Sequence, residues 1–333
     1  MFLKLFSTLL FVCLSVCCIA QMSNAEYNYA VQLYQGNDQP KSLDNLTYLE
    51  KKYPTDSWVF YLLGLHYSKA NNNLSALSNF TKAIDLNPKI SLAYKARANV
   101  YNLKGLTDKA IEDISQYITF KPADAEGYEL RAGYYFTKKD YKNALADFDK
   151  EIEILPRRFM TYYDAANTIA LLKDVKAGDA YLEKGLAVDG IKKDELNILY
   201  AVYLGQKGRY IEAKEKFNIA LKENESLFYG SDFNIAGLTY YKTNDVDKAI
   251  YLLNKGIALS PKDMSIRSNL AAVYKDKKDY NKVIEIAKAA LAIDSEYALN
   301  NMYMAIGLKN IGKAAEAKTF EEKAKRLEKE QNK

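Results

Sequence analysis

Residues 62–88 read LLGLHYSKANNNLSALSNFTKAIDLNP, two helix-like segments separated by an asparagine-rich break at 71–73. Apolar residues recur at spacings of three and four on both sides of the break, as on one face of a helix. Gly64 lies inside the first segment, although a glycine there costs about 0.5–1 kcal/mol relative to alanine. Close contact between two helix backbones would offset this cost. The stretch therefore predicts a packed pair of helices with Gly64 at their crossing.

This pattern recurs along the chain with a period of 34 residues, marked by Pro54, Pro88, Pro122 and Pro156, and Pro261 returns to the register after three inserted residues. A proline ends a helix because its ring cannot continue the hydrogen-bond ladder. A period of this length is typical of stacked repeats. Small residues recur at the eighth position of each period: Ala30, Gly64, Ala98, Ala132, Ala166, Ala201, Gly237, Ala271 and Ala305.

The large and small residues of one period carry a family resemblance. In the second period they are Phe60, Leu63, Gly64, Tyr67, Ala76, Phe80, Ala83 and Pro88. This series resembles the tetratricopeptide repeat. The resemblance implies an all-α fold, a right-handed superhelical solenoid of stacked antiparallel helix pairs.

The resemblance covers residues 23–331 as nine repeats, of which the first and the last two depart most from the pattern. One residue is inserted near 193 and two near 228–229. The expected repeats are 23–56, 57–90, 91–124, 125–158, 159–192, 194–227, 230–263, 264–297 and 298–331.

The first 20 residues, 1–20, predict a signal peptide. Lys4 precedes an apolar run, and the small residues of Cys18-Ile19-Ala20 fit cleavage before Gln21. All three cysteines lie in this segment, so the mature chain would form no disulfide. Lipid modification of Cys17 and an uncleaved membrane anchor stay open as alternatives. We expect an exported protein, in the periplasm, elsewhere in the cell envelope, or secreted.

The remaining chemistry argues against catalysis. With one histidine, His66, and no cysteine after cleavage, the chain cannot build a thiol nucleophile or a multi-histidine zinc site. Phosphate-loop and nucleophile-elbow motifs are absent from the sequence. Its 47 basic and 42 acidic residues are spread along the chain, which is typical of a solvated surface rather than a nucleic-acid interface. We expect no enzymatic activity, metal, cofactor or nucleic-acid partner, and a partly exposed, structural His66.

In tetratricopeptide repeats, positions two, five, nine and twelve point into the concave groove, so the resemblance implies that these positions contact a partner. Here they hold aromatic rings, which bury area at low entropic cost, and amides, which can bond an extended backbone. Ordinary packing between repeats is the alternative for the same residues. The candidate partner-binding residues are Trp58, Tyr61, Leu65, Lys95, Asn99, Asn102, Glu129, Phe136, Tyr163, Asn167, Asn234 and Tyr241.

These features favour a binding protein. We expect a non-enzymatic protein–protein interaction scaffold of the cell envelope that holds a peptide segment or a partner protein in its concave groove. A self-assembling structural module is one alternative, and an envelope protein that binds a glycan or small ligand by aromatic stacking is another. Membrane association would come only through an uncleaved signal or a lipid anchor.

Glu151 departs from the repeat pattern, because it occupies a position that is small elsewhere, as at Ala83. A carboxylate at a packed position must reach solvent or find a cationic partner. The sequence favours a locally shifted helix contact, in which case Glu151→Ala would leave the fold intact. Polar residues from Thr319 onward predict a capping helix at the end of the stack.

Overall fold

The computed structural model describes residues 21–36 and 38–331, and within them the chain folds into eighteen α-helices and no strand. It divides into two compact units, the first ending at Asp140 and the second beginning at Tyr141. The predicted signal peptide at 1–20 lies outside the described residues.

The helices of the first unit are α1 (Asn24–Gln35), α2 (Gln39–Lys52), α3 (Ser57–Lys69), α4 (Asn73–Leu86), α5 (Ser91–Leu103), α6 (Thr107–Phe120) and α7 (Ala125–Thr137). Those of the second unit are α8 (Tyr141–Ile154), α9 (Phe159–Leu171), α10 (Val175–Leu186), α11 (Lys193–Gln206), α12 (Tyr210–Asn224), α13 (Gly230–Lys242), α14 (Val246–Leu259), α15 (Met264–Asp276), α16 (Tyr280–Leu291), α17 (Ala298–Asn310) and α18 (Ala314–Gln331). A 3₁₀ turn at Glu225–Leu227 lies between α12 and α13.

Consecutive helices pack in pairs, for example α3 with α4, α5 with α6, α9 with α10 and α13 with α14. Within each unit the second helix of one pair also packs on the first helix of the next, as α4 does on α5 and α14 on α15. The all-α fold of stacked helix pairs predicted from the sequence is confirmed. Within each unit, neighbouring pairs bury their apolar faces against each other.

The second helix of a pair ends at a fixed number of residues before the repeat proline. The last helical residue stands two positions before the proline in all five cases: Lys52 and Pro54, Leu86 and Pro88, Phe120 and Pro122, Ile154 and Pro156, Leu259 and Pro261. The residue before a proline is pushed out of the α region, so it cannot carry the helix further. The period in the sequence is therefore a period of helix ends.

A left-handed residue joins the two helices of a pair, and the following N–H closes the helix end. Asn71 has φ of 57°, and the Asn72 N–H donates to the Tyr67 carbonyl at 2.8 Å. This six-residue closure satisfies a carbonyl that the helix end would leave unpaired. The left-handed residues of the eight such turns are Asn71, Gly105, Lys139, Lys173, Gly208, Asn244, Lys278 and Gly312.

Tyrosines make up part of the core of the second unit. Tyr162, Tyr203 and Tyr240 are among the largest fully buried side chains. The hydroxyl groups of Tyr162 and Tyr203 donate to the carbonyls of Pro156 at 2.9 Å and Val175 at 2.8 Å. A buried hydroxyl is costly unless it is paired, so these bonds let an amphipathic ring fill the core.

His66 is buried rather than partly exposed, which corrects the expectation from the sequence. Its side chain on α3 is 4% exposed, and Nδ1 lies 3.3 Å from the Ser42 hydroxyl of α2. Burial, with the nearby charge of Lys69 as the smaller cause, lowers the pKa of His66. The histidine is therefore a core residue between two helices.

Glu151 finds a cationic partner inside the second unit. The residue is 1% exposed, and its Oε1 lies 3.0 Å from a guanidinium nitrogen of Arg158. The same oxygen accepts a hydrogen bond of 2.8 Å from the buried hydroxyl of Thr161. The carboxylate thus joins the end of α8 to the start of α9, in place of the small residue found in other repeats.

Candidate functional site

Trp58 stands in an aromatic cluster between α1 and α3. Its ring meets those of Tyr27 and Tyr61 edge-on, with centroid distances of 5.5 Å and 5.6 Å. Trp58 is 37% exposed, whereas Tyr61 is more enclosed and burial raises its pKa to about 12. Leu65, one turn further along α3, is half-buried against the same core. Trp58 is therefore the most exposed ring of the cluster.

Lys95 and Asn99 on α5 both bond to residues of α7. The Lys95 ammonium lies 2.7 Å from a Glu126 carboxylate oxygen and 5.2 Å from the centre of the Tyr117 ring. The Asn99 Oδ1 accepts a 2.6 Å hydrogen bond from the Tyr134 hydroxyl. These polar groups therefore hold neighbouring repeats together, and a partner would have to compete for them.

Of the three other candidates in the first unit, Asn102 lies at the end of α5, and Glu129 and Phe136 lie on α7. Asn102 and Glu129 are half-buried. Phe136 is 43% exposed. The ring of Phe136 is thus the second large apolar side chain that the candidate set exposes in this unit.

Asn234 lies in a chain of hydrogen bonds between α13 and α15. Its Nδ2 donates to the Ser265 hydroxyl at 3.1 Å, and its Oδ1 accepts from Asn269 Nδ2 at 2.7 Å. The Ser265 hydroxyl in turn donates to Asp263 at 2.6 Å. The amide of Asn234 is therefore held in a fixed orientation.

Tyr241 and Asn167 also have partners inside the second unit. The Tyr241 hydroxyl donates to the Asp276 carboxylate, and burial raises the pKa of Tyr241 to about 12. The Asn167 amide donates to the Tyr163 carbonyl, one turn earlier on α9, at 3.1 Å. Both side chains are half-buried, and these hydrogen bonds fix their orientation.

Tyr163 and Asn234 line one cavity, although they lie on different helices. The cavity has a volume of about 270 Å³. Its walls come from α9, α11 and α13 and from the start of α15, and they mix apolar and polar side chains. The lining residues are Tyr163, Leu199, Val202, Gln206, Ser231, Asp232, Asn234, Ile235, Asp263 and Ser265. We call it the polar cavity.

A second cavity of about 400 Å³ adjoins the first and shares Leu199 and Asp232 with it. Its lining is mostly apolar: Phe159, Met160, Ile198, Leu199, Leu227 and Tyr229, with Lys192, Glu195 and Asp232 at its edge. Lys192 and Glu195 pair with each other at 3.0 Å. Tyr229 is 76% exposed and Met160 37%, so this apolar cavity opens to solvent.

Asp232 lies where the two cavities meet. It is 9% exposed, and its carboxylate accepts the Tyr229 backbone N–H at 2.8 Å, which caps α13. Burial raises the pKa of Asp232. Hydrogen bonds from the Tyr229 backbone and the Ser231 side chain lower this pKa and so oppose the effect of burial. No described lysine or arginine forms a salt bridge with the carboxylate. A buried carboxylate without a cation is costly unless other groups compensate it.

The apolar cavity forms where the repeat is irregular. The inserted residues near 193 and 228–229 precede α11 and α13, and the second insertion brings Tyr229 to the cavity wall. The left-handed turns show the same irregularity, since their intervals rise from 34 residues to 35 and 36 between Lys173 and Asn244. The insertions are visible in the sequence, but the sequence predicts neither the apolar cavity nor the roles of Met160, Tyr229 and Asp232.

Residues 21–36 and 38–331 provide neither a cluster of metal-ligating side chains nor a helix suited to cross a membrane. No group of three or more His, Cys, Asp or Glu side chains in these ranges is placed to hold a metal ion. No helix there combines the length and the apolar character that crossing a bilayer requires.

Comparison with known families identifies the repeats. Residues 61–125 match a model described as tetratricopeptide repeat, and residues 237–278 match a second, described as TPR repeat. Within these two segments the chain therefore carries tetratricopeptide repeats. Repeats of this family generally mediate protein–protein interactions and are typically non-enzymatic. A comparison with curated proteins gives no match.

Two solved structures share the fold. A tetratricopeptide repeat protein from Parabacteroides merdae aligns with a TM-score of 0.54 at 13% identity, over 76% of this chain and 98% of that one. The APC/C hetero-tetramer Cut9-Hcn1 aligns with a TM-score of 0.51 at 18% identity, over 86% of this chain and 56% of that one. At these identities the likeness concerns the fold alone.

Proposed function

We propose that this chain of tetratricopeptide repeats is a non-enzymatic scaffold of the cell envelope that binds a peptide segment or a partner protein along the first helices of its repeats. The observation that carries the proposal is the polar cavity, in which Tyr163 and Asn234 come together from separate repeats. An open cavity with a few fixed polar groups among apolar ones is the usual form of a binding site. Trp58 and Phe136 add exposed rings in the first unit.

A capture experiment with the full chain as bait tests this proposal. Envelope extract is passed over the wild type, over Trp58→Ala/Tyr61→Ala and over Tyr163→Ala, and bound proteins are identified by mass spectrometry. Ile211→Ala is the matched control, because Ile211 is an apolar residue, 75% exposed, on the second helix α12. We expect a partner that the control retains and that at least one first-helix variant loses. A partner retained by all variants would place binding elsewhere.

The envelope location rests on the predicted signal at residues 1–20 and needs its own test. Cells that express the full chain are fractionated, and the N-terminus of the product is determined by mass spectrometry. We expect an exported chain that begins at Gln21. A chain that keeps Met1 and stays in the cytoplasmic fraction would contradict export, while the binding proposal would stand.

Self-assembly is a second candidate, favoured by an open surface on the pair formed by α17 and α18. Between α17 and α18 lies a cavity of about 290 Å³, lined by Met302, Ala305, Ile306, Lys309, Glu321, Ala324, Lys325 and Glu328. In a stack of repeats, such a face receives the next helix pair. Light scattering on the purified chain decides this: a monomer at all concentrations excludes self-assembly, and an oligomer that Ile306→Lys dissociates supports it.

A further inference from the structure

We propose that the polar cavity and the apolar cavity of the second unit together bind one extended peptide of a partner protein, with a large apolar side chain in the apolar cavity and a lysine or arginine beside Asp232. This inference rests on the proposed binding function and specifies the chemistry of the partner. It places the specificity of the chain at the irregular repeat boundary, between α9, α11 and α13.

The apolar cavity supplies the first half of the specificity. Met160 and Tyr229 expose large apolar surfaces at its mouth, and Ile198 and Leu227 lie further in. Covering such surface with an apolar side chain is favourable in proportion to the area removed from water. Of the three charged residues that line this cavity, Lys192 and Glu195 pair with each other. They therefore leave the apolar surface for the partner.

The polar cavity supplies the second half. Asp232 and Asp263 both line it, and no lysine or arginine is among its lining residues. The Asp263 Oδ1 accepts bonds from the N–H and hydroxyl of Ser265, whereas Asp232 accepts from the Tyr229 N–H. A cationic side chain entering this cavity would gain charge-assisted hydrogen bonds at a largely desolvated carboxylate. An acidic side chain would be repelled, so the cavity discriminates by charge.

The two cavities are close enough for a single peptide. They share Leu199 and Asp232 as common lining residues. An extended chain advances about 3.3 Å per residue, and alternate side chains point to the same side. The apolar and basic residues of the peptide should therefore lie within about two positions of each other. Gln206 and Ser231, both exposed in the polar cavity, can hydrogen bond to the peptide backbone between them.

Selection from a phage-displayed library of random dodecapeptides tests the inference with the full chain as target. We expect enriched peptides to share a large apolar residue with a lysine or arginine within two positions. Asp232→Asn, which keeps an oxygen for the Tyr229 N–H, should weaken a selected peptide about tenfold or more, as for a desolvated charge pair. Met160→Ala and Tyr229→Ala, at exposed side chains, should weaken it too. Trp58→Ala, in the other unit, should not.

Changes to a selected peptide test the contact between its basic residue and Asp232 without a variant of the protein. Replacement of a lysine by norleucine keeps its four-carbon chain and removes the charge, and replacement of an arginine by citrulline keeps the length of the side chain and removes the charge. We expect the same loss of affinity as for Asp232→Asn, and no additional loss when both changes are combined. If the losses of binding free energy from the two changes add fully, the basic residue of the peptide does not contact Asp232.

The outcomes separate this inference from the proposed function. Peptides that lack the apolar–basic pattern, or that bind Asp232→Asn as well as wild type, overturn the inference. Peptides lost only with Trp58→Ala also overturn it, but they leave a binding scaffold that uses the first unit. A library that yields no enriched peptide on the full chain would count against both.

Discussion

Gly64 lies against the ring of Phe80 so closely that a Cβ on Gly64 would stand 2.5 Å from two ring carbons. Phe80 is completely buried, so its ring cannot move aside without disturbing its neighbours. Overpacking of this kind costs about 1–3 kcal/mol. We therefore expect Gly64→Ala to lower the free energy of unfolding by about that amount, although alanine is the better helix former. Urea unfolding followed by circular dichroism measures the change.

Gly133 is the matched control, because it is a helical glycine of the same unit with open space where its Cβ would stand. Gly133→Ala should raise the free energy of unfolding by about 0.5–1 kcal/mol, since only the conformational entropy of the chain changes. The opposite signs of the two substitutions separate close packing from helix propensity. A stabilising Gly64→Ala would show that the contact with Phe80 is not tight.

Removal of the Glu151 carboxylate should destabilise the second unit. Glu151→Ala leaves the buried hydroxyl of Thr161 without its acceptor and removes one partner of Arg158. Arg158 remains partly exposed and can turn to solvent, so we expect a loss of about 1–3 kcal/mol rather than the full cost of a buried charge. The measurement is the urea midpoint of the variant against the wild type.

Glu153 provides the comparison for Glu151, because it pairs with Lys150 at the surface of the same helix. Exposed pairs contribute about 0–1 kcal/mol, so Glu153→Ala should change stability little. Equal effects at Glu151 and Glu153 would mean that burial of the first carboxylate has no energetic consequence. The sequence alone favoured a locally shifted helix contact, in which case Glu151→Ala would leave the fold intact. The buried bonds of Glu151 to Thr161 and Arg158 lead us to expect a loss of stability as well.

His66 should protonate at a lower pH in the folded chain than an ordinary histidine does, because its pKa is lowered. Burial and the charge of Lys69 lower its pKa in the folded state, whereas the unfolded chain titrates near the usual value of about 6.5. The unfolded state therefore binds more protons as pH falls through 6.5, and folding stability should decline over that range. Because His66 is the only histidine, its ring resonance in NMR is unambiguous. A folded-state midpoint at or above that of the urea-unfolded chain would contradict this.

A stability measurement isolates the contribution of His66 from that of the carboxylates. The wild type and His66→Gln are unfolded in urea at pH 7.5 and at pH 5.5. The wild type should lose more stability between the two pH values than the variant, since glutamine does not titrate. Equal losses would show that the folded and unfolded states hold the His66 proton alike.

Much of the fold could be predicted because its signals are local and repeated. Pro88 ends a helix through its own ring. A glycine at the eighth position of the period, as at Gly64, marks a close approach of the two paired helices. Neither effect depends on distant parts of the chain. The left-handed turns were missed because only some carry glycine. Lys139 and Lys278 occupy the same turn position without any compositional signal.

The candidate site was less predictable, because it depends on contacts between repeats. Asn99 bonds Tyr134 and Asn234 bonds Asn269, in both cases 35 residues further along the chain. A repeat pattern shows which positions share a face but not which of them bond each other. The apolar cavity also depends on the insertions near 193 and 228–229. No local rule predicts how an insertion changes the spacing between helices.

Lys173 occupies a left-handed turn between α9 and α10, with φ of 67°. An L-residue in this conformation costs about 1–2 kcal/mol, whereas glycine adopts it freely. Lys173→Gly should therefore raise the free energy of unfolding by about 0.5–1 kcal/mol after the greater entropy of the unfolded glycine chain is subtracted. The shift in the urea midpoint measures it.

Gly105 gives the converse substitution at the equivalent turn of the first unit. Its φ is 72°, and a Cβ there would meet no atom within 4 Å, so only the backbone conformation opposes a side chain. Gly105→Lys should lower the free energy of unfolding by about the amount that Lys173→Gly adds, because the same conformational cost is introduced. Changes of the same sign at both turns would show that local contacts, not the left-handed backbone, determine the stability of these joints.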